Sequence, residues 1–150
     1  MAIPEPQLDD LYQEIIVDHY RNPRNKGPLP DAMVACQQDN PFCGDEITVE
    51  LRVEDGVVSD LMWDGRGCSI SLSSASMMSD ELKGKSVDEA LAFAAHFREL
   101  MQGKGDQSEW EELGDLEALK GVTKFAVRVK CATLAWATFE EALQQAQAHS

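Results

Sequence analysis

The run from Ile47 to Val53 alternates strictly. Ile47, Val49, Leu51 and Val53 are separated by Thr48, Glu50 and Arg52, and Asp55-Gly56 then precedes Val57-Val58-Ser59-Asp60-Leu61-Met62-Trp63. A period of two interrupted by a tight-turn dipeptide specifies an antiparallel hairpin, because one face must be buried and a slip of one residue would expose it. The short apolar stretch Ala32-Met33-Val34-Ala35-Cys36 adds a third strand. Elsewhere the period is helical. Leu8, Leu11, Tyr12, Ile15, Ile16, His19 and Tyr20 predict an amphipathic helix from about Leu8 to Tyr20, stopped by Arg21-Asn22-Pro23. The small-residue run Ser69 to Met78 predicts a helix packed closely on the sheet. Ser86-Val87-Asp88-Glu89 reads as a capping box for a helix through Leu91, Phe93, Ala94, Phe97 and Met101. Leu116 to Leu119 suggests a helical turn, and a final helix is expected from Cys131 to about Gln147. The fold class is therefore α+β, a three-stranded, largely antiparallel sheet packed against several helices.

With 150 residues, 43% of them hydrophobic, the chain has enough apolar material for one domain spanning 1–150 without disulfide staples. Thirteen basic against 27 acidic residues leave a formal charge of −14, which opposes binding to nucleic acid or to an anionic membrane and suits a protein partner with a basic face. The start of the chain lacks a basic segment followed by an apolar run, and no apolar stretch approaches the ~18 residues of a membrane span. The expectation is a cytoplasmic protein with reduced thiols. Acidic residues crowd Gly103 to Asp115 around a lone Trp110, marking an insertion that either binds a partner or is a solvated excursion pinned by the tryptophan.

Of the four cysteines, Cys43, Cys68 and Cys131 stand at separate breakpoints of this pattern, too far apart in sequence for a closely paired zinc knuckle. Any site they share must be assembled by the fold. Cys43-Gly44-Asp45 couples a thiol to a carboxylate, and both residue types are metal ligands. Asn40-Pro41 and Gly44 let that loop turn both side chains toward one point, while Gly65-Arg66-Gly67 makes a bend before Cys68. Cys68 and Cys131 are both expected at a helix start, where the helix dipole favours the thiolate. Arg66, Arg128 and Lys130 lie close enough in sequence to offset a net negative cluster. The serines of the Ser69 to Met78 helix either hydrogen-bond to metal-bound sulfur or serve close packing and capping alone. Cys36, inside an apolar run, is assigned a structural role. His19 reads as a packed core histidine, His96 as a surface or packing residue, and His149 as part of a frayed terminus.

The segments Leu11 to Asn25, Asn40-Pro41-Phe42-Cys43-Gly44-Asp45, Gly65-Arg66-Gly67-Cys68-Ser69-Ile70-Ser71 and Arg128-Val129-Lys130-Cys131-Ala132-Thr133-Leu134-Ala135-Trp136 resemble, in order, the iron-sulfur cluster assembly scaffold family of IscU and the N-terminal part of NifU. Lys130 stands where IscU-type scaffolds carry a histidine, and the acidic insertion is a second departure from them. Both features resemble the SufU branch. The resemblance implies a SufE/NifU-like fold and a zinc site formed by Cys43, Asp45, Cys68 and Cys131. It also implies a role as sulfur acceptor for a cysteine desulfurase of the SufS type, with downstream cluster-assembly proteins as recipients. Cys43, on its glycine loop, is the first choice of acceptor, Cys131 the alternative, and Arg128 a supporting residue. The same thiolates suit iron or an iron-sulfur cluster, so a direct [2Fe-2S] scaffold is a rival reading. A binding module held by structural zinc is another. The third, an independent thiol enzyme with Cys131 activated by His19 or His96, is weakened because no histidine adjoins a cysteine and no CxxC pair exists.

Overall fold

The computed structural model describes the backbone of residues 8–148 and the side chains of residues 14–148. Helix α1 (Leu8–Arg21) leads into three strands, β1 (Val34–Asn40), β2 (Asp45–Glu54) and β3 (Val57–Arg66), followed by α2 (Ser69–Leu82) and α3 (Val87–Met101). Two 3₁₀ segments, Gln107–Glu112 and Gly114–Lys124, then connect to α4 (Ala126–Ala148). The expected α+β class is the one observed, with the strands in the order β1-β2-β3 and both pairings antiparallel.

The alternation that predicts the hairpin also sets its register. Leu51 pairs with Leu61 and Val49 with Trp63, so the buried side chains of the two strands lie side by side. Asp55 and Gly56 both take positive φ in the turn. All three strands outrun their apolar cores. The first begins at Val34 rather than Ala32 and continues through Gln37, Gln38 and Asp39 to Asn40, because backbone pairing with β2 holds these polar residues extended. The third continues through Gly65 and Arg66, the expected bend, which stay paired with Ile47 and Glu46.

Helices α2 and α4 cover the sheet, with α4 lying across β1 and β2. Trp136 of α4 stacks on Phe97 of α3 with ring centroids 4.3 Å apart, and Trp110 meets Phe97 edge-on at 5.9 Å. The acidic excursion is thus pinned by its tryptophan, which is fully buried. Contacts of His96 Nε2 with Glu109 Oε1 (3.2 Å) and of His19 Nε2 with Asp115 Oδ2 (3.0 Å) tie it down further. The capping box at α3 is present, with Ser86 and Glu89 satisfying each other's backbone N–H groups.

Two helix expectations need correction. Tyr20 was expected on the buried face of α1 but is 47% exposed, the buried and half-buried positions being Ile15, Ile16 and His19. The side chains of Leu8, Leu11 and Tyr12 lie outside the described residues, as does His149. The last helix begins at Ala126, five residues before Cys131, so Cys131 sits beyond the first turn where the dipole acts. Its start escapes sequence reading because Ala126, Val127 and Arg128 form a solvent-facing turn with no acidic residue. Among the described residues no helix is long and apolar enough to cross a membrane.

Trp110→Ala should remove the anchor of the excursion and cost about 3–5 kcal/mol, read as a lower urea midpoint. Ser86→Ala should cost only about 1 kcal/mol. Equal effects of the two would contradict the anchoring role of Trp110.

Candidate metal centre

The centre lies at one end of the sheet, and strand register builds it. Asn40 pairs with Asp45, leaving Pro41, Phe42, Cys43 and Gly44 as the connection between β1 and β2. Glu46 pairs with Arg66, so β3 ends beside the start of β2 and Cys68 follows two residues on as the N-cap of α2. Asp45 is in phase with Ile47, Val49 and Leu51, and the two-residue period therefore turns its carboxylate into the protein, where it is 1% exposed. Cys131 reaches the same place from the second turn of α4 and is fully buried.

One ligand atom from each of Cys43, Asp45 and Cys131 can be chosen so that all lie within 4.8 Å of one another. The Cys43 and Cys131 sulfurs are 2.8 Å apart. Cys68 borders this triad rather than joining it: its backbone N–H donates to Asp45 Oδ1 at 2.9 Å, and its Sγ is 4.0 Å from Asp45 Oδ2. All four residues expected at the site are therefore neighbours, three tightly grouped and the fourth touching the carboxylate. Cys36 is apart from them, buried in β1 among the core residues, where burial pushes its thiol pKa up.

The environment of Cys131 is opposite to that expected. Burial pushes its thiol well above the ordinary range, and the adjoining Cys43, Asp45 and Cys68 push further in the same direction. None of the three basic residues expected to offset this charge bonds to the centre. Arg66 Nε is 3.5 Å from Glu46 Oε1, Lys130 Nζ stands 5.2 Å over the Phe42 ring, and Arg128 is exposed. Neither described histidine contacts a cysteine: His19 bonds Ser76 and Asp115, and His96 pairs with Glu109. Among the described residues, then, no imidazole is placed to act as base for Cys131.

One buried and two half-buried thiols around a buried carboxylate, with no lysine or arginine bonded to them among the described residues, fit a dication that would displace thiol protons and gather the negative charge. Two thiols and a carboxylate, with a third thiol adjacent, are donors that zinc accepts. Gly67 fits the same purpose: a Cβ there would overlap Asp45 Oδ1, so only glycine lets the carboxylate take this position.

Sequence reasoning treated Asn40 as punctuation and missed its place in the centre. Its Nδ2 lies 3.7 Å from Cys131 Sγ as a donor, its Oδ1 accepts the Phe42 N–H at 3.2 Å, and its carbonyl accepts the Cys43 N–H at 3.3 Å. One buried side chain thus links the hairpin tip to α4. The available signal was a polar residue in phase with Val34 and Cys36 on an inward strand face.

The NifU-like N terminal domain family matches residues 11–144. The chain is 48% identical over 134 residues to the zinc-dependent sulfurtransferase SufU of Bacillus subtilis (strain 168), covering 89% of this chain and 90% of that protein. It is 42% identical over 139 residues to the iron-sulfur cluster assembly scaffold protein IscU of Streptococcus pyogenes serotype M1, covering 93% and 86% respectively. The crystal structure of FiSufU from Fervidobacterium islandicum AW-1 superposes with a TM-score of 0.79 at 31% identity, over 87% of this chain and 94% of that one.

Gly67→Ala should push the Asp45 carboxylate out of place and weaken zinc uptake about tenfold or more, measured by chelator competition. Zinc affinity equal to that of the unaltered chain would separate Asp45 from metal binding.

Proposed function

The chain belongs to the NifU-like N terminal domain family of iron-sulfur cluster assembly scaffolds, and we propose that it acts there as a zinc-binding sulfur acceptor of the SufU type. In this reading residues 1–150 work as one unit that takes persulfide sulfur from a cysteine desulfurase of the SufS type and passes it toward cluster assembly. The observation that carries it is the convergence of Cys43, Asp45 and Cys131 within 4.8 Å at the sheet end, with Cys68 against the same carboxylate. The 48% identity to a zinc-dependent sulfurtransferase and the lysine at position 130 support the relay role over a pure scaffold.

Cys43, Asp45, Cys68 and Cys131 would hold the zinc. When bound, the ion supplies charge that keeps the sulfurs as thiolates without adding redox chemistry of its own. The protein's own part is positioning. Cys43 is half-buried in the connection between β1 and β2, beside Gly44 at φ 69°. Its thiolate attacks the outer sulfur of the persulfide on the desulfurase. A new S–S bond forms to Cys43, the donor's S–S bond breaks, and the desulfurase cysteine leaves as a thiolate, so the exchange is redox-neutral. Cys131 Sγ lies 2.8 Å from the accepting sulfur, and Asn40 Nδ2 in turn donates to Cys131 Sγ. Phe42, 76% exposed, and the exposed Arg128 and Lys130 form the rim an incoming persulfide must pass.

A second reading, direct assembly of a [2Fe-2S] cluster as cargo on the same thiolates, is favoured by the 42% identity to an IscU scaffold protein. In that case Cys131 is the alternative sulfur acceptor.

Addition of the zinc-loaded chain should accelerate alanine release by a cysteine desulfurase, and Cys43→Ala should abolish the acceleration while Cys36→Ala leaves it intact. Persistence of full stimulation in Cys43→Ala would refute Cys43 as acceptor, and mass spectrometry locating a persulfide on Cys131 would transfer the role there. Asp45→Ala should release zinc more readily, checked by metal content after dialysis against chelator.

A further inference from the structure

One turn into the helix that Cys68 caps stands a buried hydroxyl with nothing to bond. Among the described residues, Ser71 Oγ is the one buried side-chain polar atom without a hydrogen-bond partner, and the residue is 0% exposed. The other buried serines of α2 are all engaged. Ser73 donates to the Ile70 carbonyl, Ser74 to the Ala132 carbonyl, and Ser79 to the Arg24 carbonyl, while Ser76 lies 2.8 Å from His19 Nδ1. An unpaired buried hydroxyl forfeits its hydration with no return, so in a native protein it calls for a partner in some working state.

Its position says which partner. Ser71 stands one turn after Cys68 and one turn before Ser74 on the same helix, and helical side chains lean toward the N-terminal turn, here toward Cys68. Cys68 Sγ is 4.0 Å from Asp45 Oδ2, and Ser74 bonds the carbonyl of the residue directly after Cys131. Along α2, Ser71 therefore lies between the cap that carries Cys68 and the serine that ties this helix to α4 beside Cys131. The helix start beside it is unguarded, since Cys68 makes no side-chain cap and the first turn holds no acidic residue. A neutral thiol accepts hydrogen bonds weakly, whereas an anionic metal-bound sulfur accepts them strongly.

We propose that Ser71 is a positioning residue of the metal centre, its hydroxyl donating a hydrogen bond to the Cys68 sulfur once that sulfur ligates a metal ion. The inference rests on the reading of Cys43, Asp45, Cys68 and Cys131 as a metal site. It gives the sequence's run of serines a split meaning: most hold helices together, and one serves the sulfur.

The test compares the full-length chain with Ser71→Ala, and with Ser73→Ala as a control whose hydroxyl is already satisfied. Three quantities are read: melting temperature without metal, zinc affinity by chelator competition, and the sulfur-to-cobalt charge-transfer band of the cobalt(II)-loaded protein. Ser71→Ala should melt no lower than the unaltered chain without metal, bind zinc about tenfold more weakly, and shift the cobalt band. Ser73→Ala should leave zinc affinity and the band unchanged. Zinc affinity and a cobalt band in Ser71→Ala identical to the unaltered chain would overturn the inference. So would a metal-free melting temperature that falls in step with affinity, which marks a packing role, or an equal shift in Ser73→Ala. Failure of the unaltered chain to take up either metal would sink the metal-site reading and this inference with it, an outcome distinct from uptake that ignores Ser71.

Discussion

A carboxylate buried at the edge of an apolar core is the condition around which this structure is arranged. Asp45 occupies a position whose phase along β2 belongs to Ile47, Val49 and Leu51, and that phase cannot change without turning the whole strand inside out. A polar group sealed at such a place needs hydrogen-bond partners. The chain provides one backbone N–H from Cys68, room above Gly67, and sulfurs on either side. Among the described residues no lysine or arginine bonds to it. The elements that meet there are a hairpin tip, a helix cap and the second turn of α4.

Much of the framework was legible because it rests on short-range periodicity. The β2–β3 hairpin follows from alternation and Asp55-Gly56, and the start of α3 follows from Ser86 and Glu89. What escaped was governed by contacts between distant segments. Asn40 looks like turn punctuation until β1 is seen to continue through three polar residues and deliver its amide to Cys131. The start of α4 is hidden because its first turn is exposed and carries no capping signal, and this error inverted the expected environment of Cys131. Tyr20 fits the helical spacing of α1 yet faces solvent, since spacing defines a stripe and packing decides its width.

The candidate site shows the same division. Composition and spacing nominated the cysteines, and the resemblance grouped them, but only the fold sets their ranks. Cys43, Asp45 and Cys131 form the tight set, Cys68 flanks it, and Cys36 is sealed in the core. The basic residues read as neighbours of the centre turn outward instead, toward Glu46, the Phe42 ring and solvent. Among the described residues, charge at the centre is therefore not balanced by any of these three basic side chains.

The small residues along α2 have a consequence for how such a centre can drift over evolution. Ser71, Ser74 and Ala75 are fully buried in the helix that packs on α4, and Ser74 spans the gap to the Ala132 carbonyl. Cys68 caps one of these helices and Cys131 sits in the second turn of the other, so the bulk of a few hydroxyl-sized side chains acts as a shim between the elements that carry the two sulfurs. An added methyl group in that seam would be felt as a wider bite at the far end, without any donor atom being replaced.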